Sequence, residues 1–289
     1  MRRDKVNRKA IFLDIDGTLL NHKGEIPQSA REAITKARAN GHAIFICTGR
    51  SKAEIPQEVL ALELDGIIGA AGGYIELKGK VIYEVYIPKN QLLPIVDFFE
   101  KHHIKFYLET TKKVYVNRES KTYLISNMVE GIKKHPERKE EIERMMCPYM
   151  MHMEEKENLI REDINKVTFM GANISFEEIK KTFKDNFQVI PGSYSYEGEA
   201  CGELMLKEVH KAVGIELVLK ELGIAQQDTF AYGDSYNDIE MLQYVAHGIA
   251  MVNGAQILKQ VADDLTDGPD EDGLYKSFKK YELIDNKIE

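Results

Sequence analysis

The stretch that most constrains this chain is residues 10–20, Ala-Ile-Phe-Leu-Asp-Ile-Asp-Gly-Thr-Leu-Leu, an apolar run that ends on two carboxylates. Short β-branched and aromatic runs of this kind form strands buried on both faces, as in parallel sheets. Asp14 and Asp16 stand where the strand gives way to a loop, so both can turn toward one point, and Gly17 lets the backbone leave sharply. Two carboxylates held close repel unless a cation or a shared proton relieves them. The stretch therefore points to a Mg2+ site with one carboxylate left to react. The competing reading of these residues alone is a surface Asp-Gly turn between two strands.

The residues that follow alternate between strand and helix patterns. Residues 27–40 place Ala30, Ala33, Ile34 and Ala37 at helical spacing, with Ser29 as an early cap and Gly41 as the stop. A second apolar run, 42–47, ends in Thr48-Gly49-Arg50 before a helical stretch over 51–62, and a third run, 66–70, leads into Gly72-Gly73. This alternation predicts a parallel sheet with right-handed crossovers. Ligands of such sheets sit outside the carboxyl ends of the strands, so Asp14, Asp16, Thr48 and Arg50 are expected to face one crevice.

After Gly73 the rhythm changes. Residues 74–87 read as a hairpin turning at Lys78-Gly79-Lys80, 92–102 as a helix, 105–109 and 114–117 as paired strands, and 166–170 as a further strand. A charged amphipathic helix over 175–186 precedes strand-like runs at 187–190, 193–197 and 203–206. Together they form an α+β insertion of roughly a hundred residues, an ordinary domain size. The mixed-charge stretch 133–143 reads as a solvated helix face. Met145, Met146, Met150, Met151 and Met153 read as core or domain-contact filling, with a ligand entrance as the lesser alternative.

Alternation resumes at Val209, with a helix to Leu222 that Gly223 ends. Lys211 falls in its first turn, where a cation opposes the macrodipole, so the residue calls for an anionic partner unless it is solvated. Residues 229–232 form another buried-type strand, and its carboxyl end carries Gly233-Asp234-Ser235-Tyr236-Asn237-Asp238. Asp234 is placed at the crevice; Asp238, at the start of the helix over 239–245, either caps it or reaches the same crevice. Taken alone these are a turn acid and a helix cap, but beside Asp14 and Asp16 they complete an acidic set.

A length of 289 residues favours two domains, and 43% hydrophobic residues supply a core for each. The formal net charge of −8 argues against nucleic acid as a partner, which normally requires a basic face. Cys47, Cys147 and Cys201 are odd in number, far apart and without a CxxC pair, which fits reduced thiols in the cytoplasm, Cys47 serving as a core residue. The carboxylates at 14 and 16 interrupt the first apolar run far short of a signal peptide or a membrane span, so no membrane association is expected.

Asp14-x-Asp16-Gly17-Thr18, Thr48-Gly49-Arg50, Lys211 and Gly233-Asp234-x-x-Asn237-Asp238 resemble, in order, the four motifs of the haloacid dehalogenase superfamily of phosphotransferases. The insertion between the second and third motifs resembles the C2 cap of the Cof-type (class IIB) sugar phosphatases, as do Ala250-Met251-Val252-Asn253-Gly254 and the Asp272-Gly273-Leu274 turn. The chain departs from that pattern in having Ala71-Gly72 for a frequent Asn-Gly, and Glu208-Val209-His210-Lys211-Ala212 for Gly-Val-Ser-Lys-Gly. The implied fold is α/β, a Rossmann-like core with a parallel sheet over 1–84 and 201–289, with the cap inserted over 85–200.

The resemblance also implies roles. Asp14 would attack the phosphorus of a small-molecule phosphate ester, and Asp16 would protonate the leaving oxygen and later activate water. Mg2+ would be held by Asp14, Asp234 and the backbone carbonyl of Asp16. Thr48, Gly49 and Lys211 would hold phosphate oxygens, with Asn237 and Arg50 as further contacts and Asp238 orienting Lys211 or a metal-bound water. For Arg50 a surface or interdomain salt bridge is the equal alternative. Sugar phosphates are the expected substrates, with pyridoxal phosphate or flavin mononucleotide as alternatives. A phosphomutase and a non-catalytic sensor are two further classes. Glu109, Tyr194 and Cys201 are weak candidates for reading the leaving group, each more simply structural.

Overall fold

The computed structural model describes residues 8–62, 64–192 and 199–284. Its strands are β1 (Ala10–Leu13), β2 (Ala43–Cys47), β3 (Gly66–Gly69), β4 (Tyr74–Leu77), β5 (Lys80–Glu84), β6 (Lys105–Glu109), β7 (Val114–Val116), β8 (Met153–Glu155), β9 (Lys166–Ala172), β10 (Phe187–Pro191), β11 (Ala200–Leu206), β12 (Thr229–Gly233), β13 (His247–Met251) and β14 (Asp264–Thr266). The α-helices are α1 (Gln28–Ala39), α2 (Gln57–Leu60), α3 (Lys89–Lys101), α4 (Arg118–Lys134), α5 (Lys139–His152), α6 (Phe176–Phe183), α7 (Lys211–Leu222), α8 (Ile239–Tyr244), α9 (Gln256–Val261) and α10 (Gly273–Lys280). They divide into two units. One comprises the chain up to Gly49, Gln57–Ile82 and everything from His210, and the other comprises Arg50–Pro56 and Tyr83–Val209.

The first unit is built on an eight-stranded sheet in the order β14-β13-β12-β1-β2-β3-β4-β5. From β14 to β3 every neighbouring pair is parallel, and β4 turns back antiparallel on β3. Every residue of β1 is fully buried, as expected of a central parallel strand, and Phe12 stacks on Phe45 of β2 with ring centroids 5.1 Å apart. Ala30, Ala33, Ile34 and Ala37 form the buried stripe of α1. Ser29 lies inside that helix; its cap position is Pro27. The helical stretch expected over 51–62 is instead a 3₁₀ turn, Lys52–Glu54, followed by the single turn of α2. Pro56 divides them: the residue before a proline is pushed out of the helical region, and Ile55 is extended with ψ 125°.

The second unit carries a six-stranded sheet in the order β10-β11-β9-β6-β7-β8, antiparallel except for the β7–β8 pair. Phe106 and Leu108 of β6, Val167 and Phe169 of β9, and Leu204 of β11 face one side and build a core with α3 and α6. Phe99 lies 5.5 Å from the rings of both Phe106 and Phe169. The period of two then places Tyr107, Glu109, Lys166, Thr168 and Glu203 on the opposite side. Because β11 is hydrogen-bonded between β9 and β10, this unit runs to Val209, past the boundary expected at 200. The mixed-charge stretch is a junction, not one helix face: α4 ends at Lys134, a 3₁₀ turn spans Pro136–Arg138 and α5 begins at Lys139. Of the methionines, Met153 packs on Tyr107, Val114 and Val116, whereas Met151 is 74% exposed. The strand expected over 193–197, with Tyr194, lies outside the described residues. Among the described residues no helix is long and apolar enough to cross a membrane.

Candidate active site

Strand β1 lies between β2 and β12, so the chain leaves it to one side and returns on the other. The carboxyl end of such a strand is the switch point where open α/β sheets form their ligand crevices. Asp14 is the first residue past it, buried, with its backbone N–H donating to the Tyr232 carbonyl at 3.0 Å. Lys211, fully buried in the first turn of α7, donates from Nζ to Asp14 Oδ1 at 2.6 Å and to Asp238 Oδ1 at 2.5 Å. The other Asp238 oxygen accepts the backbone N–H groups of Asp234 and Ser235, each at 3.0 Å. Asp238 thus both caps its turn and pairs with the lysine. Thr18 Oγ1 donates to Asp234 Oδ1 at 3.1 Å. Gly17 makes this approach possible: its φ is +80°, and a Cβ there would lie 2.5 Å from Asp234 Oδ2.

Burial pushes the Asp14 carboxyl up to about 7; Lys211 pulls the other way, while the charges of Asp238 and Asp16 add to the rise. Burial, then the charges of Asp14 and Asp238, push Asp234 up to about 8. Burial opposes the charged form of Lys211, but Asp14 and Asp238 outweigh it and hold the ammonium above its ordinary value. Carboxylate oxygens of Asp14, Asp234 and Asp238 lie within 4.8 Å of one another. Three acids set against one ammonium leave an excess of negative charge on hard oxygen donors. That donor set fits a divalent cation of the Mg2+ or Ca2+ type.

The metal residues read from sequence were Asp14, Asp234 and, through its backbone carbonyl, Asp16; the side-chain cluster brings Asp238 beside Asp14 and Asp234. Asp16 is half-buried in the turn, bridged through its backbone to Leu20. Thr48, buried at the end of β2, donates its N–H to Ile68 and accepts from Ala71 N–H at 3.0 Å, tying the loops after β2 and β3 together. Gly49 closes that segment of the first unit. Asn237 Oδ1 accepts from Ser235 Oγ at 2.8 Å. Arg50 belongs to the second unit, where its buried guanidinium donates to the Glu54 carbonyl at 2.8 Å and lies 5.4 Å over the Tyr149 ring. Its side chain is buried rather than at the surface. Glu109 is buried in that unit, accepting from Thr168 Oγ1 at 2.5 Å with Lys166 3.2 Å away, and Cys201 Sγ contacts the Gly192 carbonyl at 3.7 Å. Cys47 is fully buried as expected, and burial pushes its thiol well up. Thr18, Asn253 and Gly254 were given no site role from sequence; the only signal for the last two was a motif without chemistry of its own.

A family model described as haloacid dehalogenase-like hydrolase matches residues 11–278. The chain belongs to this family. YkrA of Bacillus subtilis (strain 168), provisionally named a phosphatase, is 28% identical over 283 residues, covering 96% of this chain and 100% of YkrA. YcsE of the same organism, named a 5-amino-6-(5-phospho-D-ribitylamino)uracil phosphatase, is 25% identical over 285 residues, covering 98% and 99% of the two chains. The solved structure of a subclass IIB sugar phosphatase of the haloacid dehalogenase superfamily matches with TM-score 0.77 and 27% identity, over 96% of this chain and 100% of that one. This haloacid dehalogenase-like hydrolase is accordingly a phosphatase with the subclass IIB type of fold.

Proposed function

We propose that the protein is a Mg2+-dependent phosphatase of small phosphorylated metabolites, acting through Asp14 as nucleophile. The observation that carries this reading is the convergence of Asp14, Asp234 and Asp238 around the buried Lys211 at the switch point of the sheet. Asp14, Asp234 and the Asp16 backbone would hold the cation, which when bound neutralises phosphate oxygens and keeps the carboxylates ionised. A carboxylate oxygen of Asp14 forms a bond to phosphorus as the P–O bond of the ester breaks, and Asp16 gives its proton to the departing alkoxide. Asp16, now a base, takes a proton from water as the water oxygen attacks phosphorus, and the Asp14–phosphorus bond breaks to free inorganic phosphate. Thr48, Gly49, Lys211 and Asn237 hold the phosphoryl oxygens during both transfers.

Two of the similar proteins are named for a sugar phosphate and a phosphoribitylamino compound. Their shared chemistry is a phosphate monoester on a polyhydroxylated carbon chain, which we take as the substrate class. We take the protein to act in the cytoplasm, where thiols such as Cys47, Cys147 and Cys201 stay reduced. Phosphate release with Mg2+, measured over sugar and sugar-alcohol phosphates, pyridoxal phosphate and flavin mononucleotide beside Asp14→Asn, tests the proposal. Hydrolysis of the polyol phosphates by the wild type alone is expected. Isomerised sugar phosphate without release would make the protein a mutase, and neither product would overturn the catalytic reading.

A further inference from the structure

The turn after β13 grips two loops of the candidate site at once. The Asn253 side-chain amide donates to the Gly17 carbonyl at 2.9 Å. Two residues on, Ala255 N–H donates to the Asp234 carbonyl at 2.7 Å. Between them Gly254 lies against the Asp234 backbone so closely that a Cβ there would be 2.6 Å from the Asp234 carbonyl oxygen. The turn itself is braced: Gly254 N–H donates to the Met251 carbonyl at 2.9 Å, Val252 N–H to Thr266 at 2.8 Å, and Lys259 Nζ to the Val252 carbonyl at 2.7 Å.

Gly17 is the part of the nucleophile loop with the greatest backbone freedom, and it sits against the Asp234 carboxylate. The peptide after it leads to Thr18, whose hydroxyl bonds that same carboxylate. Fixing the Gly17 carbonyl therefore fixes both contacts on Asp234, while Ala255 fixes the Asp234 backbone. We propose that Asn253 is a positioning residue whose amide, through the Gly17 carbonyl, holds the Asp14 and Asp234 carboxylates at the separation a divalent cation requires. The inference rests on the Mg2+ reading above. Partners that orient metal ligands at one remove typically contribute ~10–100-fold in affinity.

The test is calorimetric titration of Mg2+ into the wild type, Asn253→Leu, which keeps the branched heavy-atom shape but cannot donate, and Asn253→His, whose ring N–H can donate from the same place. Circular dichroism of the metal-free proteins checks folding. The expected result is a Kd at least about tenfold weaker for Asn253→Leu, with Asn253→His near the wild type. An unchanged Kd in folded Asn253→Leu overturns the inference while leaving the Mg2+ reading intact. If Asn253→Leu does not fold, Asn253→His decides: a Kd near the wild type supports the donor role, and one weakened about tenfold overturns it. A wild type that takes up no Mg2+ overturns this inference together with the function it rests on.

Discussion

Lys211 Nζ lies 2.6 Å from Asp14 Oδ1, with both side chains removed from water, and the same ammonium is shared with Asp238 at 2.5 Å. Removing one partner of a buried ionic group leaves the others uncompensated, which typically costs about 3–5 kcal/mol. Lys211→Met is therefore expected to destabilise the metal-free protein by about that amount, read by urea unfolding. Phosphate-release kcat should fall ~10²–10³-fold, because a fixed cation at the phosphoryl group is lost. Wild-type stability in the variant would show that the lysine's attraction only offsets its own desolvation.

The raised carboxyls give a second expectation. Asp14 moves up to about 7 and Asp234 to about 8, from unfolded values near about 4. Between those limits the folded state keeps protons that the unfolded chain has released. Stability from these groups is thus present at low pH and lost as pH rises toward about 8. A divalent cation competes with the same protons, so its binding tightens over that range. Thermal melts in EDTA should show Tm falling from about pH 6 to about pH 8.5, with the rise in Tm on adding Mg2+ larger at the higher pH. An equal Mg2+ effect at both would mean the carboxylates are ionised throughout.

How much of this was legible in the sequence follows from where the information lies. Asp14, Asp234, Asp238 and Lys211 end strands or begin helices in an alternating pattern, and the parallel sheet converts each such position into a place at one crevice. Lys211 was legible for a further reason, since a cation at a helix start requires an anion nearby. That Arg50 groups with the second unit, together with the short turn Lys52–Glu54 that Pro56 separates from α2, leaves no mark in the sequence pattern. Asn253 was illegible because its role is one hydrogen bond to a carbonyl 236 residues away, which leaves no periodicity or charge pattern. Glu109 read as a weak candidate for the leaving group and more simply as structural, and the density of charge around it shows only when β6, β9 and β11 pair.

That cluster yields a third expectation. Lys166 lies 3.2 Å from Glu109 Oε2 and 3.1 Å from Glu203 Oε1, with Lys166 and Glu109 buried. Burial, then the charge of Glu54, push the Glu109 carboxyl well up against the pull of Lys166. An acid raised in the folded state stabilises at low pH and loses that contribution as pH rises past its unfolded value. Glu109→Gln, neutral at every pH, should flatten the alkaline decline in Tm. Lys166→Met should steepen that decline and cost about 3 kcal/mol or more at neutral pH. Parallel Tm-against-pH curves for wild type and Glu109→Gln would show that Glu109 is ionised in the fold.

Gly17 offers the most local test of the site's geometry. Its φ of +80° is a conformation that an L side chain adopts only at a cost, and an added methyl would stand 2.5 Å from Asp234 Oδ2. The strain alone is worth about 1 kcal/mol, so Gly17→Ala should still fold, with Tm lowered by roughly 2–4 °C for a protein of this size. Activity should suffer far more, because relief of the contact moves the Asp234 carboxylate away from Asp14. A displacement near 1 Å at a reacting centre can cost about 10²-fold. The expected outcome is kcat/KM down about a hundredfold on the best polyol phosphate, with a weaker Mg2+ Kd by calorimetry. Loss of activity with an unchanged Kd would place the damage at Asp16 or at the phosphate contacts and not at the Asp14–Asp234 pair.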